Sequence, residues 1–234
     1  MDEEELKKIN TEVEGQSPDL VLKKAFELFG EDIALASSFG VEDNVLIHIA
    51  HQINPKFKVF TLDTARLPEE TYVVMEAIRV KYNINIETYF PNQNSVEQLV
   101  REKGFYSFRD SVEARKECCF IRKVEPLNRA LSAKKAWITG IRKDQIVTRS
   151  QMNAFEPDPK HAGLIKVNPL INWTETQVKD FAEQNQIPMN ALFKQKYRSI
   201  GCAPCTRAVS DGEDERAGRW WWESPDKKEC GLHQ

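Results

Sequence analysis

Short apolar runs alternate along this chain with segments whose apolar residues return at helical spacing. Asp32–Ala36 reads as a buried strand. Val41, Val45 and Ile49 then recur at four-residue steps, the period of one helix face. Lys58–Leu62 reads as a second strand. Pro68-Glu69-Glu70 opens the next helix, which runs to about Tyr82. Proline is tolerated in a first turn, where its missing N–H has no partner to lose, and acidic residues suit the positive helix end. Ile84–Phe90 is a third strand, followed by helical segments over Ser95–Lys103 and Cys118–Leu131. Ala136–Gly140 is a fourth strand, Ile165–Leu170 a short fifth, and Thr174–Gln184 a capped helix. Strands alternating with helices predict an α/β fold, a mostly parallel sheet with helices on both faces. From about Tyr197 the periodicity stops. The remainder is polar and rich in Gly and Arg, with one aromatic run, Trp220-Trp221-Trp222. The expected organisation is one domain over 1–205 and a flexible C-terminal tail over 206–234.

Composition narrows the class. The 234 residues are 41% hydrophobic and 29% charged, proportions of a globular chain. No apolar run approaches the roughly 18 residues of a membrane span. The acidic start, MDEEELKKIN, does not read as a signal peptide, so a cytoplasmic location is expected. With 33 Lys+Arg against 36 Asp+Glu the net charge is -3, which disfavours bulk nucleic-acid binding.

Five cysteines in a reducing compartment point to metal or catalysis before disulfides. Cys118-Cys119 are adjacent, and Cys202 and Cys205 form a C-x-x-C. Two pairs can supply four thiolates to one centre, either tetrahedral zinc or an iron–sulfur cluster. Adjacent cysteines bite poorly on a single small ion, whereas a cubane offers separate iron corners, so the spacing favours the cluster. A thioredoxin-type dithiol at Cys202/Cys205 stands beside it, although that motif ordinarily opens a long helix and Thr206-Arg207-Ala208 does not. Cys230, flanked by Lys227 and Lys228, is a nucleophile candidate, because nearby cations favour thiolate. The plainer reading is an incidental cysteine near a terminus.

Ser37-Ser38-Phe39-Gly40 lies between a strand and a helix, where hydroxyls and backbone amides can hold an anion or merely cap the helix. Asp63 ends the second strand at the same sheet edge, placed to meet a ribose hydroxyl or to cap the following helix. Arginines and lysines gather near the cysteine pairs: Arg115, Lys116, Arg122 and Lys123 at the first, Arg207, Arg216 and Arg219 after the second. Arg142, Lys143 and Arg149 follow the fourth strand. Guanidinium groups suit phosphate and sulfate, so a small anionic ligand is expected.

Cys118-Cys119-x-x-Arg122-Lys123-x-x-Pro126-Leu127, Cys202-x-x-Cys205 and Glu229-Cys230-Gly231-Leu232-His233 together resemble the assimilatory adenylyl-sulfate (APS) reductases. Ser37–Gly40, Leu62-Asp63-Thr64, Thr139–Arg142 and Arg216–Trp220 extend the resemblance over nearly the whole chain. It implies a fold similar to the adenine-nucleotide α-hydrolases, the ATP pyrophosphatase-like fold. In that superfamily the first loop reads Ser-Gly-Gly-x-Asp-Ser; the Ser37–Asp43 sequence departs from it, which speaks against ATP hydrolysis. The resemblance also implies a [4Fe-4S] cluster on Cys118, Cys119, Cys202 and Cys205, with Lys123 beside it and Cys230 as nucleophile. Substrate contacts are implied at Arg216 and Arg219, and less directly at Arg142, Ser37 and Ser38. The implied reaction converts APS to sulfite and AMP through an S-sulfocysteine, with thioredoxin or a similar dithiol as reductant. The same chemistry on 3′-phospho-APS (PAPS), and a zinc-stabilised nucleotide-binding module, remain as alternatives. Oligomeric state is left open, a homo-oligomer included.

Overall fold

The computed structural model describes residues 1–145 and 152–224. Helices α1 (Glu3–Val13) and α2 (Pro18–Phe29) precede strand β1 (Ile33–Ala36). There follow α3 (Val41–Ile53), β2 (Val59–Leu62), α4 (Glu69–Tyr82), β3 (Ile86–Tyr89) and α5 (Gln93–Lys103). Next come α6 (Val112–Cys119), a π-helical turn at Phe120–Val124 and α7 (Glu125–Leu131). The remaining elements are β4 (Ala136–Ile138), β5 (Phe155–Pro157), β6 (Ile165–Val167) and α8 (Glu175–Gln184).

The described strands form one sheet in the order β3-β2-β1-β4-β6-β5. β1 pairs in parallel with β2 and β4, β4 in parallel with β6, and β5 runs antiparallel to β6. Every residue of β4 and β6 is buried, as are the first three of β1. Successive strand side chains point to opposite faces, so such unbroken burial means that both faces are covered, as the run of apolar residues predicted. β3, with its two central residues exposed, is an edge strand. The strand order reverses direction between β1 and β4, so a crevice forms outside their carboxyl ends, the usual ligand position in open α/β sheets.

The chain gathers into two compact units, 1–61 with 74–87 and 131–189, and 62–73 with 88–130 and 190–234. Several elements differ from the sequence expectation. α1 carries its own capping box, Asp2 with Glu5, and buries Leu6, Ile9 and Val13 at helical spacing. Residues 118–131 are not one helix: α6 starts earlier, where the Ser111 hydroxyl accepts the Ala114 amide at 3.1 Å, and the π turn intervenes. β5 escaped notice because three residues in a polar stretch carry no periodicity. It is held as an edge partly by a side chain. Asn10 of α1 donates to the Phe155 carbonyl at 2.8 Å and accepts the Phe155 amide at 2.9 Å, as a neighbouring strand would.

A boundary after Cys205 has no counterpart among the described residues. Thr206 bridges antiparallel to Arg219, the Arg207 amide donates to the Gly218 carbonyl at 3.0 Å, and Trp220 is buried. Residues 206–224 therefore pack within the second unit, because their aromatic and cationic side chains find partners there. Gly218 is required by close approach: a Cβ there would overlap the Arg207 carbonyl oxygen. Residues 225–234, with Cys230 and Gly231, and also Arg149, lie outside the described residues.

Replacing Asn10 by Ala removes both hydrogen bonds to Phe155 and leaves two backbone groups of β5 short of partners. The expected loss is about 1–3 kcal/mol of unfolding free energy. Urea denaturation of Asn10→Ala against the parent checks it; an unchanged midpoint would show that α1 does not hold the edge.

Candidate active site

The second unit brings both cysteine pairs to one cleft of about 370 Å³, counted out to its open mouth. Cys118, Cys119, Cys202 and Cys205 all line it. Cys118 and Cys119 end α6, where consecutive side chains diverge by roughly 100° around the axis. The wide π turn that follows carries Arg122 and Lys123 into the same lining. Cys202 and Cys205 frame a one-turn 3₁₀ helix with Pro204 in its first turn; the Cys205 amide donates to the Cys202 carbonyl at 2.9 Å.

The loop after β2 holds the second pair in place. The Cys202 thiol donates to the Thr64 hydroxyl at 3.2 Å, and the Ala203 amide to the Arg66 carbonyl at 2.7 Å. Buried Arg122 donates to the Thr64 carbonyl at 2.7 Å, so one loop residue contacts both cysteine segments. Asp63 is used by its own turn. It accepts the Ala65 amide at 2.8 Å, closing an Asx turn in which Ala65 has φ 56°, and accepts the Tyr72 hydroxyl at 3.0 and 3.1 Å. Tyr72 is pushed up to about 12, first by burial and then by the Asp63 carboxylate it donates to.

The third element of the cleft is the segment after Cys205. Arg115, on α6, forms a two-pronged ion pair with Glu223, Nε to Oε1 at 3.0 Å and Nη2 to Oε2 at 2.9 Å. Both side chains are sealed from solvent, at 1% and 4% exposure. Trp220 lies between two guanidinium groups, Arg115 at 4.6 Å and Arg219 at 4.8 Å from its ring centre. Trp222 packs on Phe108 at 5.8 Å, and Trp221 is exposed. The tryptophan run thus folds the chain back onto its own unit. Arg219 donates to the Ser199 hydroxyl and the Ile200 carbonyl at 3.4 and 3.3 Å, and fits only because Gly201 has no Cβ to meet it. Arg216 is half-buried in the preceding turn, its amide donating to Asp214 at 2.8 Å.

Burial pushes the Cys205 thiol up to about 12, with the neighbouring Cys202 and Cys119 adding to it and Lys123 and Arg219 opposing. Burial also raises Cys118, against the pull of Arg122 and Arg66. Thiolates gathered at one cleft need compensating positive charge, which a metal centre supplies. Among the described residues no three Cys, His, Asp or Glu side chains stand close enough to share one metal ion. The four cysteine thiols lining the cleft are the donor type that a thiolate-held metal group takes.

The Ser37–Gly40 loop and Arg142 belong to the first unit, and Asp63 to the second. Buried Arg142 donates through Nε to Glu42 at 3.0 Å and pairs through Nη1 with Asp144, so two carboxylates balance its charge. Ser38 donates both its amide and its hydroxyl to Asp43, at 2.6 and 2.8 Å. The Ser37 hydroxyl accepts the Phe39 amide at 3.1 Å. Sequence reasoning quoted the segments that hold Thr64 and Asp43 but gave these two residues no role, and it missed Arg66 and the Arg115–Glu223 pairing. The pairing had a faint signal, a lone Glu beside three tryptophans; Arg66 had none.

Residues 32–208 match the family described as the phosphoadenosine phosphosulfate reductase domain. The chain is 48% identical over 204 residues to the adenosine 5′-phosphosulfate reductase of Allochromatium vinosum, covering 87% of this chain and 79% of that one. It is 45% identical to the chloroplastic 5′-adenylylsulfate reductase 1 of Arabidopsis thaliana, covering 99% of this chain and 51% of that longer relative. Among solved structures, the phosphoadenylyl-sulfate (PAPS) reductase of Candida auris superposes with a TM-score of 0.75 at 26% identity, over 89% of this chain and 98% of that one. The FMN adenylyltransferase of Candida glabrata superposes with a TM-score of 0.56 over 89% of this chain and 68% of that one. At 13% identity that likeness concerns the fold alone, and it agrees with the expected nucleotide α-hydrolase-like architecture. The chain belongs to the phosphoadenosine phosphosulfate reductase family, among the adenosine 5′-phosphosulfate reductases.

Proposed function

We propose that the chain reduces adenosine 5′-phosphosulfate to sulfite and AMP in assimilatory sulfate reduction, with Cys230 as nucleophile. The observation that carries this reading is the single cleft in which four cysteines, Cys118 and Cys202 buried and Cys119 and Cys205 half-buried, meet Lys123 and Arg219. The names of relatives at 45–48% identity support APS over its 3′-phosphorylated form. A [4Fe-4S] cluster on Cys118, Cys119, Cys202 and Cys205 fits the four-thiol donor set. When bound, it would tie the two cysteine segments together, and the cations lining the cleft would balance its thiolate ligands.

The remaining chemistry falls to the chain's own residues. Lys123 and Arg219 offset the repulsion between a thiolate and a polyanionic substrate. The Cys230 thiolate attacks the sulfate sulfur, and the S–O bond to the bridging oxygen breaks. That oxygen keeps the bond's electron pair and leaves with AMP, while sulfur remains as Cys230 S-sulfonate. One thiolate of a thioredoxin-type dithiol then attacks the Cys230 sulfur; sulfite leaves with the S–S electron pair and a mixed disulfide forms, which the reductant's second thiolate breaks, releasing Cys230 as thiolate and the reductant as a disulfide. Cys230 follows Ser224 by six residues, and six extended residues reach roughly 20 Å. Glu223, buried against a cleft-lining arginine, starts that span at the cleft wall.

Three substitutions test the reading. Cys230→Ser, purified without oxygen, keeps its iron and acid-labile sulfide while turnover falls roughly a thousandfold or more; persistent turnover would exclude Cys230 as nucleophile. Cys202→Ser loses iron and sulfide together with the visible chromophore, and an equal content in parent and variant would remove Cys202 from the ligand set. Lys123→Ala keeps its iron but binds substrate roughly tenfold or more weakly, the size expected for one charge-assisted contact. Unchanged affinity by equilibrium binding would count against its role.

A further inference from the structure

On the second unit, aromatic rings surround one exposed cation beside the cleft. The Arg109 guanidinium lies 5.2 Å from the ring centre of Tyr106, 5.7 Å from Phe108, 5.6 Å from Trp221 and 5.3 Å from Trp222. Phe108 is buried beneath it, whereas Tyr106 is 60% exposed, Trp221 38% and the adjoining Phe105 68%. Arg109 is itself exposed, and among the described residues no carboxylate pairs with it. Its Nη2 donates to the Pro204 carbonyl at 3.4 Å, between the two cysteines of the C-x-x-C. Arg66, which lines the cleft, donates to the Phe105 carbonyl at 2.8 Å. The patch and the cleft therefore share residues of one wall. Large rings left open to water mark a site of association, and Trp, Tyr and Arg carry most of the binding energy where proteins meet.

We propose that the patch of Phe105, Tyr106, Arg109 and Trp221 is the docking surface for the protein dithiol that releases sulfite from Cys230. The proposal deepens the reduction step of the proposed function and rests on it. Three observations select this occupant. The cleft, at about 370 Å³, has the volume of a small-ligand site, so a folded reductant works from outside it. Trp221, a member of the patch, precedes Cys230 by nine residues, a reach of at most about 30 Å. A reductant seated on the patch is therefore within range of the S-sulfonate. The unbalanced charge of Arg109 selects a partner that brings a carboxylate. The fitting partner has an apolar face around its reactive thiol and a carboxylate at the rim of that face. The rings supply contact area, and Arg109, held by them and by Pro204, has N–H groups left for the carboxylate. A small thiol needs no such surface, because it reaches the Cys230 sulfur by free diffusion.

The test separates the two half-reactions. The full chain, purified without oxygen, is loaded with APS radiolabelled in its sulfate sulfur, and S-sulfonate formation is timed. AMP is removed, and sulfite release is then timed with a thioredoxin and, separately, with dithiothreitol. In Tyr106→Ala and Arg109→Glu the second-order rate with thioredoxin falls about tenfold or more. Release by dithiothreitol and formation of the S-sulfonate both stay within about twofold of the parent, since neither step uses the patch. Phe105→Ser gives a third variant, at the most exposed ring, should either of the others fold poorly. An unchanged thioredoxin rate, or an equal fall with both reductants, would overturn the docking role. Slower S-sulfonate formation would overturn it too, by assigning the patch to residues 225–234 of the chain itself. So would a lower sedimentation coefficient in Arg109→Glu than in the parent, which assigns the patch to a second copy. A parent that forms no S-sulfonate on Cys230 would overturn the proposed function and the docking role with it.

Discussion

The buried ion pair of Arg115 with Glu223 is the constraint on which the cleft of the second unit depends. Two parallel charge-assisted hydrogen bonds join a residue of α6 to one more than a hundred positions later. Removing either partner would leave a full charge sealed from water, a cost of about 3–5 kcal/mol. The pair therefore dictates where the segment after Cys205 runs. Trp220 is clamped between Arg115 and Arg219, and Arg219 in turn lies against Gly201, one residue before a cleft cysteine. A segment that looks unstructured in sequence becomes a wall of the cleft through Arg219 and Trp220.

Electrostatic balance in the cleft follows from this packing. Burial makes the Cys118 and Cys205 thiols resist ionisation, and Cys202 and Cys119 add to it at Cys205. Cations from three separate elements oppose them: Arg66 after β2, Arg122 and Lys123 on the π turn, and Arg219 near the end. The chain's net charge of -3 conceals this concentration. A cleft lined by these cations is matched to a substrate whose reacting end is a phosphate–sulfate anhydride. The first unit shows the opposite balance. There Arg142 is balanced by two carboxylates, and Asp43 takes the amide and hydroxyl of Ser38. One unit thus presents a surplus of positive charge and the other has consumed its own anion-binding donors.

Much of this was legible in the sequence. Val41, Val45 and Ile49 announced α3 and the runs at 33–36 and 59–62 announced β1 and β2, because local periodicity follows directly from which side of an element is buried. The two cysteine pairs, and the odd fifth cysteine, were visible as a count of four plus one. α1 and β5 were not foreseen: β5 has three residues, and it exists because Asn10 and β6 supply its partners. The tail boundary at 205 was misplaced for a related reason, since a segment without periodicity can still be ordered by long-range ion pairs and ring contacts.

By itself the sequence determined the fold class and the family, because each depends on residue type and near spacing. Only the tertiary structure decided which charges those residues retain. Arg142, a candidate anion ligand by type, is balanced by Glu42, a hundred positions away. Ser38, a candidate phosphate donor, has spent its amide and hydroxyl on Asp43. Availability of a hydrogen-bonding or charged group depends on what else lies within about 3 Å of it, and that neighbourhood is set by the folded chain.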